Sequence, residues 1–173
     1  MSGRYLLAAA GLSLLVGCST AAPGSRATAE LKDKDGKIVG HAMLRQQSDG
    51  VLIRVDTKGL TPGMHGVHVH AVGKCEGPAF ASAGGHFNPG NKKHGLKSAD
   101  GPHAGDLPNM MVAKDGDGRF EALTDAITLR AGALSVFDAD GSAIVVHAAA
   151  DDNMTDPAGN SGDRVACGII VAQ

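Results

Sequence analysis

The sequence predicts an all-β domain: an antiparallel Greek-key sandwich or barrel of about eight strands, with two long functional loops. Three observations carry this. Short runs rich in Val, Ile, Leu and Thr recur along the chain, Asp-Gly turns separate several of them, and no helical hydrophobic period emerges. In order, TAELKD (28–33) and KIVGHAMLRQ (37–46) flank the turn at Asp35-Gly36. VLIRVDT (51–57) follows SDG, and MHGVHVHAV (64–72) follows GLTPG. After a long loop, NMMVA (109–113) and GRFEALT (118–124) are joined through KDGDG. ALSVFD (133–138) and SAIVVHA (142–148) flank ADG, and RVACGIIVA (164–172) closes the series.

The 173 residues suit one domain. Aromatics make up only 3% with no Trp, so the core must be built from Val, Ile, Leu and Ala. A net charge of −2 with no basic stripe argues against nucleic acid as a partner. At the N-terminus Arg4 precedes the apolar run LLAAAGLSLLVG (6–17), too short for a comfortable membrane span and suited to a secretory signal. Its end, Leu15-Val16-Gly17-Cys18, resembles a bacterial lipobox; a plain signal with a coincidental cysteine is the alternative. The division expected is signal peptide 1–17, lipidated Cys18 and tether 18–27, and a folded domain 28–173. Acyl chains on Cys18 would hold the protein on a membrane at the periplasmic face of a bacterial envelope. With Cys18 set aside, Cys75 and Cys167 remain, an even pair in an exported chain, open to a disulfide or to two reactive thiols.

Two stretches interrupt the strands, residues 73–108 and 148–163. Structureless loops of that length are uncommon in a compact domain unless something ties them down. Histidines suggest what does. His68 and His70 lie two apart in a strand, so both rings face one side. The first loop adds His86, His94, His103 and Asp106, and His147 sits where the second begins. Imidazole is the usual ligand of zinc and copper, with a carboxylate completing tetrahedral zinc sites and a flat set of nitrogens suiting Cu(II). Six histidines and one aspartate serve two four-ligand metals only if one ring is shared, which counting alone does not establish.

GVHVHAVGKC, SAGGHFNPGNKKHG, GPHAGDLPN, IVVHAAADDN and GNSGDRVACGII, in this order, resemble the motifs of the copper/zinc superoxide dismutase family, over essentially residues 28–173. The resemblance implies copper held by His68, His70, His86 and His147, and zinc by His86, His94, His103 and Asp106, with His86 bridging. It implies a Cys75–Cys167 disulfide, Arg164 beside the copper opening to attract a small anion, and Asp151 bonded to His68 and His94. The implied activity is dismutation of superoxide to O2 and hydrogen peroxide by a one-electron copper cycle, with Arg164 and His86 catalytic. One copper and one zinc per subunit follow from it.

His41 and His65 match no ligand position and read as ordinary surface or strand histidines. Lys92, Lys93 and Lys97 in the first loop could raise the potential for an anion. The second loop departs from the eukaryotic pattern: it is compact and rich in Asp (151, 152, 156 and 163), so the guiding charges are not carried over. The oligomeric state stays open, with a homodimer as one outcome. Two rivals stand beside the enzyme: a non-catalytic copper and zinc buffer of the envelope, and a structural β-domain on a lipid tether. Arg164 favours the enzyme, since storage does not need it.

Overall fold

The computed structural model describes residues 25–173. The signal, Cys18 and residues 18–24 of the tether lie outside that range. Ten strands form one sheet: β1 (Arg26–Asp33), β2 (Ile38–Gln46), β3 (Val51–Thr57), β4 (Gly63–His65), β5 (Val67–His70), β6 (Met110–Val112), β7 (Gly118–Thr124), β8 (Ala143–His147), β9 (Arg164–Ile169) and β10 (Val171–Ala172). Every pairing between strands is antiparallel, in the order β4-β6-β7-β3-β2-β1-β9-β8-β5, with β10 also on β1. The one helical element among the described residues is a 3-10 turn, Ala81–Ala83.

The ends of that order, β4 and β5, are consecutive in the chain and separated only by Gly66. The sheet therefore curls into a nearly closed barrel whose two edges are joined by a single residue. This corrects the reading of MHGVHVHAV as one strand. Gly66 leaves the ladder, donates to Ala149 O and accepts from the His147 N–H. The end of the chain also breaks, at Ile170, into β9 and β10.

Two further expectations fail locally. Arg26 and Ala27, read as the end of the tether, are the first residues of β1, because Ala27 is buried in the core. ALSVFD is not a strand; Ser135 makes one isolated bridge to Thr128. Its backbone is diverted into turns: the Ser135 N–H bonds Gly132 O, and the Ser135 hydroxyl accepts from Phe137 N–H. Local side-chain bonds of this kind compete with a ladder. Val136 still faces inward with Ile127 and Leu129.

Alternation builds the core. Ala27, Ala29 and Leu31 of β1, Ala42 and Leu44 of β2, Val51, Ile53 and Val55 of β3, and Val67 and Val69 of β5 all point inward. Phe87 and Phe120 are the only aromatic rings among the buried residues of this main cluster. A second cluster of Phe80, Ala83, Ala143, Val145 and Cys167, with Cys75 against it, lies elsewhere.

Strand β5 ends the order, so one side of it has no strand partner. The long loop supplies one. Val69 N–H donates to Gly105 O, Phe87 N–H to Val69 O and Ala71 N–H to Gly85 O, with bridges pairing His68 with Asp106 and His70 with His86. An otherwise open edge is covered, and the loop is brought to the side of β5 that carries His68 and His70.

Candidate metal centre

Val67 and Val69 fill the barrel, so period two turns His68 and His70 outward beneath the long loop. The loop lays His86, His94, His103 and Asp106 over them, and His147 arrives at the end of neighbouring β8. All seven residues are 9% exposed or less. Two donor sets result. His68, His70, His86 and His147 each direct one ring nitrogen into one set, and His86, His94, His103 and Asp106 form the other, with the atoms of each set within 4.8 Å of one another. His86 belongs to both.

Hydrogen bonds decide which nitrogen faces inward. His70 Nδ1–H donates to Gly84 O (3.0 Å) and His147 Nδ1–H to Gly162 O (3.1 Å), leaving both Nε2 lone pairs facing each other at 3.4 Å. His68 and His94 use Nε2–H instead, donating to the two oxygens of Asp151 at 2.8 and 3.0 Å, which leaves their Nδ1 lone pairs for the two sets. Asp151 thus ties the sets together by orienting one ring from each. Its grouping with His68 and His94 is a hydrogen-bonded bridge, since both nitrogens facing it carry protons.

The second set is compact. Asp106 Oδ1 lies 2.8, 3.0 and 3.4 Å from Nδ1 of His86, His94 and His103, while Oδ2 accepts from the Gly95 and His103 N–H groups at 2.8 and 3.0 Å. Three nitrogens and one carboxylate oxygen fit tetrahedral zinc. In the first set, His68 Nδ1 and His86 Nε2 are buried without any hydrogen-bond partner. Buried polar atoms are normally paired, and two orphaned lone pairs converging with two more imidazole nitrogens fit copper.

Burial holds the His68, His70 and His147 rings neutral and ready to ligate. It pushes His68 down to about 4 despite the Asp151 bond, His147 to about 3 and His70 to about 2. Burial pushes the Asp106 carboxyl up, but bonds from His86 and the Gly95 N–H outweigh it and bring it to about 2. Asp151 likewise stays below the ordinary carboxylate range, because bonds from His68, His94 and the Asn153 N–H outweigh its burial.

The sign of the pH dependence follows. In the unfolded chain these histidines titrate near 6.5, whereas the folded, metal-free protein protonates His68 only near 4 and His147 near 3. Between those values the unfolded state binds more protons, so stability is full above the unfolded value and falls on acidification. Each such histidine contributes a slope of about 1.4 kcal/mol per pH unit within its window. The metal-free protein is expected to lose thermal stability steeply from pH 6 to pH 4. A melting temperature unchanged across that range would remove this account.

Arg164 opens β9 directly opposite His147 in the register. Its guanidinium donates to Phe80 O (2.6 Å) and Gly84 O (2.7 Å), and Gly84 O also accepts from His70. Its charge lowers the proton affinity of both His70 and His147. Cys75 and Cys167 form a disulfide, Cα–Cα 5.6 Å. Lys93 is paired with Asp156 Oδ2 at 2.8 Å, so its charge is largely compensated, and Asp156 Oδ1 accepts from the His94 N–H. His41 is exposed on β2, as its sequence position suggests. His65 is not a surface residue: it is 1% exposed, Nδ1 lies 2.6 Å from His147 O and Nε2 2.8 Å from Thr61 O.

Residues 38–170 match the family described as Copper/zinc superoxide dismutase (SODC). The chain belongs to this family. A Superoxide dismutase [Cu-Zn] 2 of Aquifex aeolicus is 44% identical over 160 residues, 91% of this chain and 94% of that one. The crystal structure of a SOD-like protein from Bacillus subtilis superposes with a TM-score of 0.80 at 39% identity, covering 87% of this chain and all of the other. The Cu/Zn superoxide dismutase from Brucella abortus gives 0.70 at 28%, covering 84% and 99%. As a copper/zinc superoxide dismutase family member, the chain uses copper and zinc as its cofactors, and the two donor sets are where its own residues can hold them.

Sequence reasoning assigns no role to Asn109, the last residue of GPHAGDLPN. Its side chain clasps the backbone of Asp151, donating from Nδ2 to Asp151 O and accepting from the Asp151 N–H, both at 2.8 Å. Asn109→Ala removes both bonds to the residue that orients His68 and His94. Losing a direct partner of a metal ligand, such as Asp151 itself, lowers metal affinity about 10–100-fold, so a loss toward the lower end, about 10-fold, is expected when only the support of Asp151 is removed. Zinc competition against a chromophoric chelator reads it, and wild-type affinity in the variant would contradict the role.

Proposed function

We propose that the chain dismutates superoxide to O2 and hydrogen peroxide, with copper on His68, His70, His86 and His147 and zinc on His86, His94, His103 and Asp106. Bound copper supplies a one-electron redox couple and bound zinc a fixed, redox-silent charge. The chain's residues do the rest. Arg164, half-buried beside His147, attracts the small anion and positions it. His86 Nε2, without a hydrogen-bond partner in the fold, is the atom that takes up a proton in one half of the cycle and returns it in the other. Asp151 and the Gly84 and Gly162 carbonyls hold the other rings in their tautomers, so the donor sets are preorganised. The observation that carries this reading is the pair of orphaned buried nitrogens within a four-imidazole set.

The setting belongs to the same proposal: an exported protein on the periplasmic face of the envelope, held by acylated Cys18. The lipobox-like Leu15-Val16-Gly17-Cys18 and the disulfide support it. The oligomeric state is left open, with a homodimer as one outcome, and sedimentation reads it.

The test is superoxide consumption by the purified chain, stripped of metal and then reloaded with copper, zinc or both. Fast turnover that depends on copper is expected. Tight stoichiometric metal binding without turnover would leave a metal buffer instead. In the producing cell, Cys18→Ser is expected to move the chain from the membrane fraction to the soluble one; unchanged partition would end the anchor proposal.

A further inference from the structure

Phe80 holds an uncommon conformation: φ 53°, ψ 28°, in the left-handed region. Glycine and asparagine enter that region readily, while a bulky side chain there is strained. Strain of this kind persists where the surroundings hold it in place, and it clusters at functional sites. The ring is 2% exposed, packed in the cluster of Ala83, Ala143, Val145 and Cys167, with Cys75 against it. The backbone is held as well, since Phe80 N–H donates to Glu76 O and Phe80 O accepts from the Ala83 N–H.

What this turn presents is two carbonyls. Phe80 O and Gly84 O lie at either end of the 3-10 turn and receive Nη1 and Nη2 of Arg164 at 2.6 and 2.7 Å. The planar guanidinium fork matches two such acceptors, and its remaining N–H groups stay available to an anion. No ion pair of Arg164 is formed among the described residues, so its charge is not cancelled by a carboxylate. We infer that Phe80 is a positioning residue for the dismutation: its buried ring clamps a left-handed turn whose carbonyls aim Arg164 at the anion. Phe80 is a member of neither donor set and acts through Arg164. The inference rests on the proposed role of Arg164 in drawing in the anion.

The test uses the full chain loaded with copper and zinc, with Phe80→Gly, Phe80→Leu, Arg164→Ala and the double variant Phe80→Gly/Arg164→Ala. Glycine frees the backbone of strain while removing the ring, so it separates the clamp from the conformation. Azide affinity for copper, read by its absorption band, probes the anion path independently of turnover. Phe80→Gly is expected to keep both metals and the copper spectrum while weakening azide and slowing superoxide consumption about 10-fold, the lower end of electrostatic guidance. Phe80→Leu, which restores an apolar anchor, is expected to recover most of both. The double variant is expected to be no worse than Arg164→Ala, as two residues acting through one group require.

Wild-type azide affinity in Phe80→Gly, with Arg164→Ala impaired, overturns the Phe80 role alone. Additive effects in the double variant overturn it too. If Arg164→Ala is itself unimpaired, the role of Arg164 falls, and the inference with it. Should the glycine variant fail to accumulate, Phe80→Ala removes the ring with the strain of the turn left in place, and its azide affinity against that of Phe80→Leu decides the role of the ring by the same outcomes.

Discussion

His147→Ala is expected to lose superoxide consumption almost completely while retaining its zinc. His147 contributes Nε2 to the four-imidazole set and no atom to the set built from His86, His94, His103 and Asp106. Its ring forms one further bond, Nδ1–H to Gly162 O, so the truncation breaks little else. The ladder between β8 and its neighbours is backbone and survives. Removing an outer partner of a metal ligand already lowers affinity or activity about 10–100-fold, so removing the ligand itself should leave less than about a hundredth of the activity. Zinc analysis and superoxide consumption, measured on one copper-loaded preparation, read the two predictions together. Full activity in this variant would remove the copper assignment, whatever the zinc content. Loss of both metals would show that the two sets are held together more tightly than the single shared ring requires.

The parts of this site that alternate or recur are legible in the amino-acid sequence alone. Val67 and Val69 need the core, so His68 and His70 have to face away from it, and strands Val51–Thr57 and Gly118–Thr124 coincide with the runs that predict them. The length of the first loop, with its histidines, signals that something anchors it. The sharing of His86, by contrast, depends on both of its nitrogens being aimed, which no spacing encodes.

Other residues escape a sequence reading for specific reasons. Asn109 acts 42 residues ahead of itself, on Asp151, and in the sequence it is a polar residue after a proline. Phe80 works through a backbone conformation that its residue type disfavours. His65 does carry a signal, since period two places it on the face of Val67 and Val69, but Gly66 interrupts the strand between them. ALSVFD has strand composition, yet Ser135 and its neighbours form turns that plug the barrel with Val136.

The largest effect on stability should come from the disulfide. A Cys75→Ser/Cys167→Ser variant, compared with the oxidised parent in metal-free form, is expected to lose about 4–5 kcal/mol. The bond closes a separation of 92 residues, and the chain-entropy model scales with the logarithm of that length. For a domain of this size each kcal/mol moves the melting temperature by roughly 2–4 °C, so a fall of roughly 8–20 °C follows. Metal must be absent from both proteins, because ligands that bind only the folded state add their own stabilisation. The native state adds a local term in the same direction. Cys167 is buried in β9 and Cys75 lies in the long loop, so the bond pins that loop to the second core cluster beside Phe80. Without it, the loop keeps its main-chain bonds to β5 and the inter-loop bonds of Asp156 and Asn153, which hold the far side of the loop near His94 and Lys97. Looseness should therefore be confined to the stretch around Cys75 and Phe80, where hydrogen exchange can detect it. A melting temperature within a few degrees of the parent would show that the long loop is fixed by its ladder to β5 and that closing the chain adds little.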